Sequence, residues 1–354
     1  MRLLVHAQRL MPVSSPQLDA LASETAFSGV VRIDRAGEIE LARAYGLAHR
    51  GFEIPNEVDT RFGIASGAKA FTALAVVSLI EEGVLQLSTT ARSVLGSDLP
   101  LIDDRVTVEH LLAHRSGIGD YLDEEAVEVG DYVMPVPVHE LAATEDYLAV
   151  LDGHPSAFTP GERFGYCNGG YVVLALIAER ASGIPFHELV EQRVCRPAGL
   201  IDTEFLRSDE LPGRTAMGYV ELEGAWRTNV FHLPVRGSGD GGIYSTAADI
   251  SSFWQALFAG RIVSQDWVAE MVRPRIDAPA HSKRYGLGLW LHASSDDVIL
   301  EGYDAGVSFR SLHDPGAQLT LTVISNTTDG AWPMAKYLDR AVGPEDELSG
   351  GGGI

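Results

Sequence analysis

The spacing of hydrophobic residues changes twice along the chain. Near the start, two short apolar stretches separated by a turn-prone segment around Gly37 predict a β-hairpin within residues 29–47. From Lys69 to Gly83 the apolar residues recur every three or four positions, as on one face of a helix. The sequence therefore predicts strands first and then a core helix that begins near Ser66.

The rest of the chain continues with helices and returns to strands. Further helical patterns cover residues 107–114, 144–151, 171–181 and 186–193. Strand-like runs, followed by a closing helix, cover residues 285–292, 298–302, 307–313, 319–326 and then 332–342. Because strands lie near both termini, we predict an α/β fold in which one antiparallel sheet is built from both termini, is flanked by helices and carries an inserted helical lobe.

These patterns divide the chain into one two-lobed unit and a tail. The unit is predicted to be residues 1–342, with residues 1–66 and 240–342 forming the α/β lobe and residues 67–239 forming a mainly helical lobe. An active site is expected at the junction of the lobes, where clefts commonly form. The glycine-rich residues 343–354 contain too little apolar surface to offset their ordering entropy, so a disordered tail is predicted there.

The net charge of the protein limits the kinds of molecule that it is expected to bind. The formal net charge of −22 repels nucleic-acid phosphates and anionic membrane surfaces, which favours a small, neutral substrate. No apolar run reaches the roughly 18 residues needed to cross a bilayer. His6 and Gln8 interrupt the apolar N-terminal stretch, which makes a signal peptide unfavourable and predicts a cytoplasmic protein. In that compartment Cys167 and Cys195 are expected to be free thiols.

One lysine stands out as a candidate for chemistry. The sequence contains only Lys69, Lys283 and Lys336 beside 24 arginines. A lysine amine can be deprotonated in an apolar setting, whereas an arginine cannot. Ser66 precedes Lys69 by three residues, which places the hydroxyl and the amine on the same helical face. An S-x-x-K match alone also fits a helix cap followed by a solvated lysine, so its context matters.

Several other segments accompany this match. In chain order, these are residues 62–69 (FGIASGAK), 111–117 (LLAHRSG), 160–168 (PGERFGYCN), 196–200 (RPAGL), 241–246 (GGIYST) and 285–288 (YGLG). Together they resemble the landmarks of the β-lactamase-like serine hydrolases, which include class C β-lactamases, D-alanyl-D-alanine carboxypeptidases, D-aminopeptidases and β-lactamase-type esterases. Several ordered matches are much more specific than any one of them.

The resemblance assigns roles to individual residues. It implies that Ser66 is the nucleophile, that Lys69 activates it, and that Tyr166 serves as general base and then as general acid. Asn168 would hydrogen-bond the substrate or Lys69. Whether Lys69 or Tyr166 removes the serine proton stays open. The histidines and cysteines lack the spacing of a metal site, and neither a metal nor a cofactor is expected.

The family's third motif, a cation two residues before a glycine, is altered in this chain. The best alignment puts Leu300 where the family has lysine or histidine, and it retains the glycine as Gly302. The N–H groups of Ser66 and Tyr303 would then form the oxyanion hole, and Leu300 would offer only apolar contact to a substrate. Without the cation, recognition of a substrate carboxylate is weakened. The sequence therefore favours a carboxylesterase acting on small neutral esters or amides.

Other interpretations share the same residues. A β-lactamase or D-aminoacyl peptidase, an acyltransferase and a catalytically inactive ligand-binding module all fit the motifs. His114 is expected to hold a turn by hydrogen bonds rather than to catalyse. An acidic run, expected to be a solvated loop or helix face, comprises Asp120, Asp123, Glu124, Glu125 and Glu128.

Overall fold

The computed structural model of the protein describes Val13 and residues 15–123 and 132–342. The N-terminal segment, the glycine-rich tail and Glu124, Glu125 and Glu128 of the acidic run lie outside the described residues. The described strands are β1 (Gly29–Arg35), β2 (Glu38–Tyr45), β3 (Leu47–His49), β4 (Ile54–Pro55), β5 (Phe62–Gly63), β6 (Tyr219–Leu222), β7 (Ala225–Thr228), β8 (Tyr244–Ser245), β9 (Ile276–Ala278), β10 (Lys283–Tyr285), β11 (Trp290–His292), β12 (Val298–Asp304), β13 (Val307–Asp314) and β14 (Leu319–Ser325).

Helices connect and cover these strands. The described α-helices are α1 (Ser15–Glu24), α2 (Ala68–Glu81), α3 (Ala91–Leu95), α4 (Val108–Leu112), α5 (Leu148–Leu151), α6 (Asn168–Ser182), α7 (Phe186–Val190), α8 (Arg196–Ala198), α9 (Ala247–Phe258), α10 (Gln265–Met271) and α11 (Ala331–Val342). Short 3₁₀ segments cover Ala65–Gly67, Val138–Glu140, Thr144–Tyr147 and Pro279–His281, and Glu191–Cys195 forms a π-helical turn. No helix in the described part of the chain combines the length and apolar character needed to cross a membrane.

The large sheet joins the two ends of the described chain. Its eight strands lie in the order β2-β1-β14-β13-β12-β11-β10-β9, and every neighbouring pair is antiparallel. Gly29 of β1 pairs with Ser325 of β14, so the first and last described strands are neighbours, at the second and third positions from the β2 edge of the sheet. The predicted α/β fold with one antiparallel sheet built from both ends is confirmed.

Helices α2, α6 and α9 cover one face of the sheet, and α1 and α11 cover the other. Apolar residues from nearly the whole circumference of α2 are buried, which is typical of a helix inside the core rather than at its surface. Alternate residues of β12 face the two layers: Leu300 joins the core beneath α2, whereas Ile299 joins the core beneath α11. Gly302 and Asp304 therefore share the face of Leu300.

One local prediction was wrong. The run at residues 285–292 is divided, because β10 ends at Tyr285 and β11 begins at Trp290. Between them, Gly288 has φ +80°, and a Cβ there would lie 2.1 Å from the Cβ of Ala73 on α2. The hairpin β6–β7 also lies in the lobe predicted to be mainly helical. Cys167 and Cys195 are both buried free thiols.

Candidate active site

Ser66 lies in a tight turn immediately before α2. The turn is the 3₁₀ segment Ala65–Gly67, and Ala65 has φ +44°, which is uncommon for a residue with a side chain. A Cβ on Gly67 would lie 2.7 Å from the ring of Phe309 on β13, so the turn is pressed against the sheet. This packing fixes Ser66 where the sheet meets the helical layer.

Lys69 lies one turn further along and contacts the serine. Its Nζ is 2.8 Å from the Oγ of Ser66, and it donates hydrogen bonds to the Oδ1 of Asn168 at 2.7 Å and to the carbonyl of Asp240 at 2.8 Å. The residue is only 2% exposed. Three oxygen atoms from three parts of the chain therefore hold the amine beside the hydroxyl.

Tyr166 approaches the same amine from the segment that precedes α6. The Nζ of Lys69 lies 4.9 Å from the centre of the Tyr166 ring. That ring packs between His114, at 4.4 Å between ring centres, and Trp290, which is stacked at 5.9 Å. The amine of Lys69 is therefore surrounded by Ser66, Tyr166 and Asn168. All four residues were singled out in the sequence.

His114 packs against Tyr166 and holds the segment that precedes α6. Its Nδ1 accepts a hydrogen bond from the N–H of Cys167 at 3.1 Å. The imidazole is buried, and burial, followed by the charge of Lys69, lowers the pKa of His114 well below its usual range. A neutral ring that holds the turn before α6 agrees with the expected structural role.

Asp120 fixes the start of α6. Its carboxylate accepts hydrogen bonds from the N–H groups of Asn168 at 2.6 Å and Gly169 at 2.8 Å. Burial raises the pKa of Asp120 to about 6, although the backbone N–H groups act in the opposite direction. The expectation of a solvated acidic run is wrong at this residue, since a helix 48 residues later in the chain encloses its carboxylate.

Gly302 brings β12 against the serine turn. A Cβ at this position would lie 2.1 Å from the carbonyl oxygen of Ile64 and 3.0 Å from the backbone nitrogen of Ser66. Only glycine permits this approach without moving the backbone. Tyr303, the next residue, directs its side chain to the opposite face, where its ring lies 6.1 Å from that of Trp332.

Leu300 does not lie in the substrate-contact position that the sequence analysis assigned to it. The residue is 3% exposed and belongs to the same buried core as Ile64 and Phe309. It is absent from the described residues that line the cavity beside Ser66. One face of β12 carries Leu300, Gly302 and Asp304 at successive positions along the strand. Leu300 is buried in the core, Gly302 contacts the serine turn, and Asp304 lines the cavity.

That cavity has a volume of about 70 Å³. The described residues that line it are Ser66, Tyr121, Leu122, Tyr132, Met134, Tyr147, Asn168, Leu206, Ser208, Asn229, His232, Leu233, Pro234, Val235, Gly237, Asp240, Gly241, Gly242, Tyr244 and Asp304. Aromatic and aliphatic groups dominate its surface, as in many small-molecule sites. The wall contains two carboxylates, and both have hydrogen-bond partners. The Oη of Tyr121 donates to the Oδ2 of Asp240 at 2.5 Å, and the N–H of Ala305 donates to the Oδ1 of Asp304 at 3.2 Å.

Comparison with known proteins identifies the scaffold. Residues 18–343 match the family model described as beta-lactamase. The chain belongs to the beta-lactamase family. It is accordingly an enzyme of the serine hydrolase type.

Relatives within the beta-lactamase family are named for different activities. Esterase EstB of Burkholderia gladioli is 30% identical over 315 residues, which cover 80% of this chain and 79% of that protein. A D-aminopeptidase of Brucella anthropi is 27% identical over 325 residues, which cover 89% of this chain but only 59% of that protein. The crystal structure of a penicillin binding protein from Bacillus halodurans has a TM-score of 0.86 and 35% identity, over 91% of this chain and 99% of that one.

Two acidic residues of this beta-lactamase-family site were missed in the sequence. Asp120 stands in an acidic run, and its neighbour α6 is remote in the chain, so no local pattern identified it. Asp304 could have been found, because the two-residue period of a strand places it on the face of Gly302.

Proposed function

We propose that this chain is a carboxylesterase-type hydrolase that cleaves small neutral esters or amides through an acyl-Ser66 intermediate. The observation that carries the proposal is the 2.8 Å contact between the Nζ of Lys69 and the Oγ of Ser66 in a buried setting. A serine hydroxyl is a weak nucleophile until a neighbouring base removes its proton. An esterase relative of similar length supports the same reaction class.

The reaction follows from the positions of these groups. The Oγ of Ser66 attacks the substrate carbonyl while its proton passes to Lys69 or Tyr166. The proposed oxyanion hole consists of the N–H groups of Ser66 and Tyr303. The close approach of Gly302 on β12 to the backbone nitrogen of Ser66 supports this assignment. Collapse breaks the bond to the leaving group, which takes up the proton. Water then attacks the acyl-serine by the reverse sequence of proton transfers and releases the carboxylic acid.

Covalent labelling tests the nucleophile. A serine-directed phosphonate is expected to add one phosphonyl group to Ser66, as measured by intact mass and peptide mapping. Ser66→Ala should abolish both labelling and turnover of p-nitrophenyl acetate, whereas Ser88→Ala, at an exposed serine, should alter neither. Labelling of a different serine, or labelling that persists in Ser66→Ala, refutes the acyl-serine mechanism.

Substrate charge separates an esterase from a β-lactamase. No lysine or arginine occurs among the described residues that line the cavity, and their one basic side chain is the histidine His232, so a substrate carboxylate lacks a permanently charged partner in that lining. We expect kcat/KM for nitrocefin to be at least tenfold below that for p-nitrophenyl acetate. Efficient nitrocefin hydrolysis would favour the β-lactamase alternative instead.

Two alternatives predict other products. An acyltransferase would pass the acyl group to an added alcohol or amine in preference to water, which product analysis detects. A catalytically inactive binding module would show ligand-dependent thermal stabilisation without turnover.

A further inference from the structure

The carboxylate of Asp240 lies close to the amine beside Ser66. The backbone carbonyl of Asp240 accepts a hydrogen bond from the Nζ of Lys69 at 2.8 Å, and the same residue lines the cavity. Asp240 is only 8% exposed. Burial raises the pKa of its carboxyl group, and the positive charge of Lys69 is the largest effect that opposes this rise. A buried negative charge is therefore within electrostatic reach of the amine.

The hydrogen bonds of Lys69 described above go to three oxygens outside this carboxylate. Its Nζ lies 2.8 Å from the Oγ of Ser66 and donates to the Oδ1 of Asn168 at 2.7 Å, in addition to the carbonyl of Asp240. An ammonium group can donate three hydrogen bonds, and these three acceptors match that number. Activation of Ser66 depends on the amine keeping this orientation.

An ion pair between Lys69 and the carboxylate of Asp240 would be a competing arrangement. Opposite charges attract more strongly in a buried setting than in water, because less solvent screens them. Such a pair would draw the amine away from Ser66, and it would favour the protonated amine, which cannot serve as a base. Catalysis therefore requires that the carboxylate be held by other groups.

Tyr121 holds this carboxylate. Its Oη donates a hydrogen bond to the Oδ2 of Asp240 at 2.5 Å, a length typical of charge-assisted O–H···O⁻ bonds. Burial, followed by the negative charge of Asp240, raises the pKa of Tyr121 well above its usual range, so the phenol keeps its proton and acts as the donor. The N–H groups of Asp240 and Gly241 also favour the charged form of the carboxylate.

The segment that carries Tyr121 also reaches a second partner of Lys69. The carbonyl of Leu122 accepts a hydrogen bond from the Nδ2 of Asn168 at 3.0 Å, so the Oδ1 of that amide faces the amine. Two adjacent residues of one segment thus hold Asn168 and Asp240, which both accept hydrogen bonds from the amine.

We infer that Tyr121 is a positioning residue that keeps the carboxylate of Asp240 from pairing with Lys69. The amine is thereby left available to the nucleophile. This inference rests on the proposed acyl-Ser66 hydrolysis and adds a residue outside the motifs that supply the reacting groups. Because Tyr121 acts through Asp240, loss of its hydroxyl should harm catalysis only while residue 240 carries a charge.

Removal of the hydroxyl, with and without that charge, tests the inference. Tyr121→Phe keeps the ring in the cavity wall but releases the carboxylate. Both kcat for p-nitrophenyl acetate and the rate constant for phosphonylation of Ser66 should fall roughly tenfold to a hundredfold. Adding Asp240→Asn replaces the charge with a neutral amide, and the double variant should regain at least roughly fivefold in both rates over Tyr121→Phe.

Tyr147→Phe is the matched comparison. The buried Tyr147 also lines the cavity, but its Oη donates to the carbonyl of Arg236. Asp240→Asn should therefore not improve Tyr147→Phe, and equal improvement of the two phenylalanine variants would overturn the inference. Tyr337→Phe, which removes a hydroxyl bonded to Gln17 on the opposite face of the sheet, should leave both rates unchanged.

The double variant keeps the test decisive if Tyr121→Phe alone fails to fold. Once Asp240→Asn has removed the charge, Tyr121→Phe should change either rate by less than roughly threefold. A larger loss in that background shows that the hydroxyl acts by another route and overturns the inference.

The outcomes separate this inference from the proposed function. If the phosphonate labels Ser66 in the wild type, the proposed function stands. The role of Tyr121 is then overturned by a Tyr121→Phe variant that keeps wild-type rates, or by a loss that Asp240→Asn does not restore. If wild-type Ser66 is not labelled, the proposed function fails and this inference fails with it.

Discussion

The two sides of Ser66 are built differently. On the side of Lys69, the groups come from α2, the start of α6 and a backbone carbonyl, and buried polar atoms bond one another at 2.7–2.8 Å. On the cavity side, much of the wall comes from segments outside helices and strands, such as residues 132–134 and 229–235. Regular elements fix the reacting atoms, whereas loops shape the space for the substrate.

The solvent exposure of the side chains also differs between the two sides of Ser66. Lys69 is 2% exposed, whereas Val133 and Phe231, which neighbour lining residues of the cavity, are 83% and 84% exposed. The reaction class therefore depends on a part of the molecule where changes are costly, and substrate choice depends on a part where changes are tolerated.

The largest effect is expected on the buried side. Lys69→Met retains most of the apolar stem but removes the amine, leaving Asn168 and the carbonyl of Asp240 without their partner. General-base catalysis and activation of the serine should be lost, so kcat/KM for p-nitrophenyl acetate should fall about 10³-fold or more. Lys336→Met, on an exposed face of α11, serves as the control. A loss of less than tenfold would show that the amine is not the activating group.

A smaller effect is expected where β12 meets the serine turn. Gly302→Ala places a methyl group 2.1 Å from the carbonyl oxygen of Ile64, so the strand or the turn must move. We expect a loss of about 3 kcal/mol in the free energy of unfolding, with a lower kcat. At Gly213 nothing lies within 4 Å of an added Cβ, so Gly213→Ala is the matched control. Urea unfolding and kcat measure both, and equal stability of the two variants would contradict the close contact.

The smallest effect concerns the pH dependence of stability. The pKa of Asp120 rises from 3.8 to about 6 on folding, so the folded state holds its proton more tightly. This contribution is present below pH 4 and is lost as the pH rises through 6, which should lower the free energy of unfolding by about 2 kcal/mol. Asp120→Asn should lack that change, whereas Asp296→Asn, at an exposed position, should retain it. Identical slopes in the wild type and Asp120→Asn between pH 4 and 7 would exclude Asp120 as its source.

Prediction from the sequence succeeded where local spacing or an ordered set of motifs carried the information. The spacing of Ser66 and Lys69 on one helical face is an example, and the 2.8 Å contact between their side chains follows from it. Leu300 was assigned as a substrate contact by alignment. An alignment does not show how deeply each residue of a strand is buried, and this residue lies in the core. The role of Asp120 depends on its tertiary contact with α6, and no residue near Asp120 in the sequence indicates that contact.

The position of β1 between β2 and β14 has a consequence for biosynthesis. Its hairpin partner β2 follows at once, but its other edge must wait for β14, since Gly29 pairs with Ser325. At roughly 5–20 residues per second, a ribosome needs about 15–60 s to supply that strand. During this interval the β1 edge is open to pairing with other nascent chains. Yield in the cell should therefore depend on translation speed and on chaperones that shield the first hairpin.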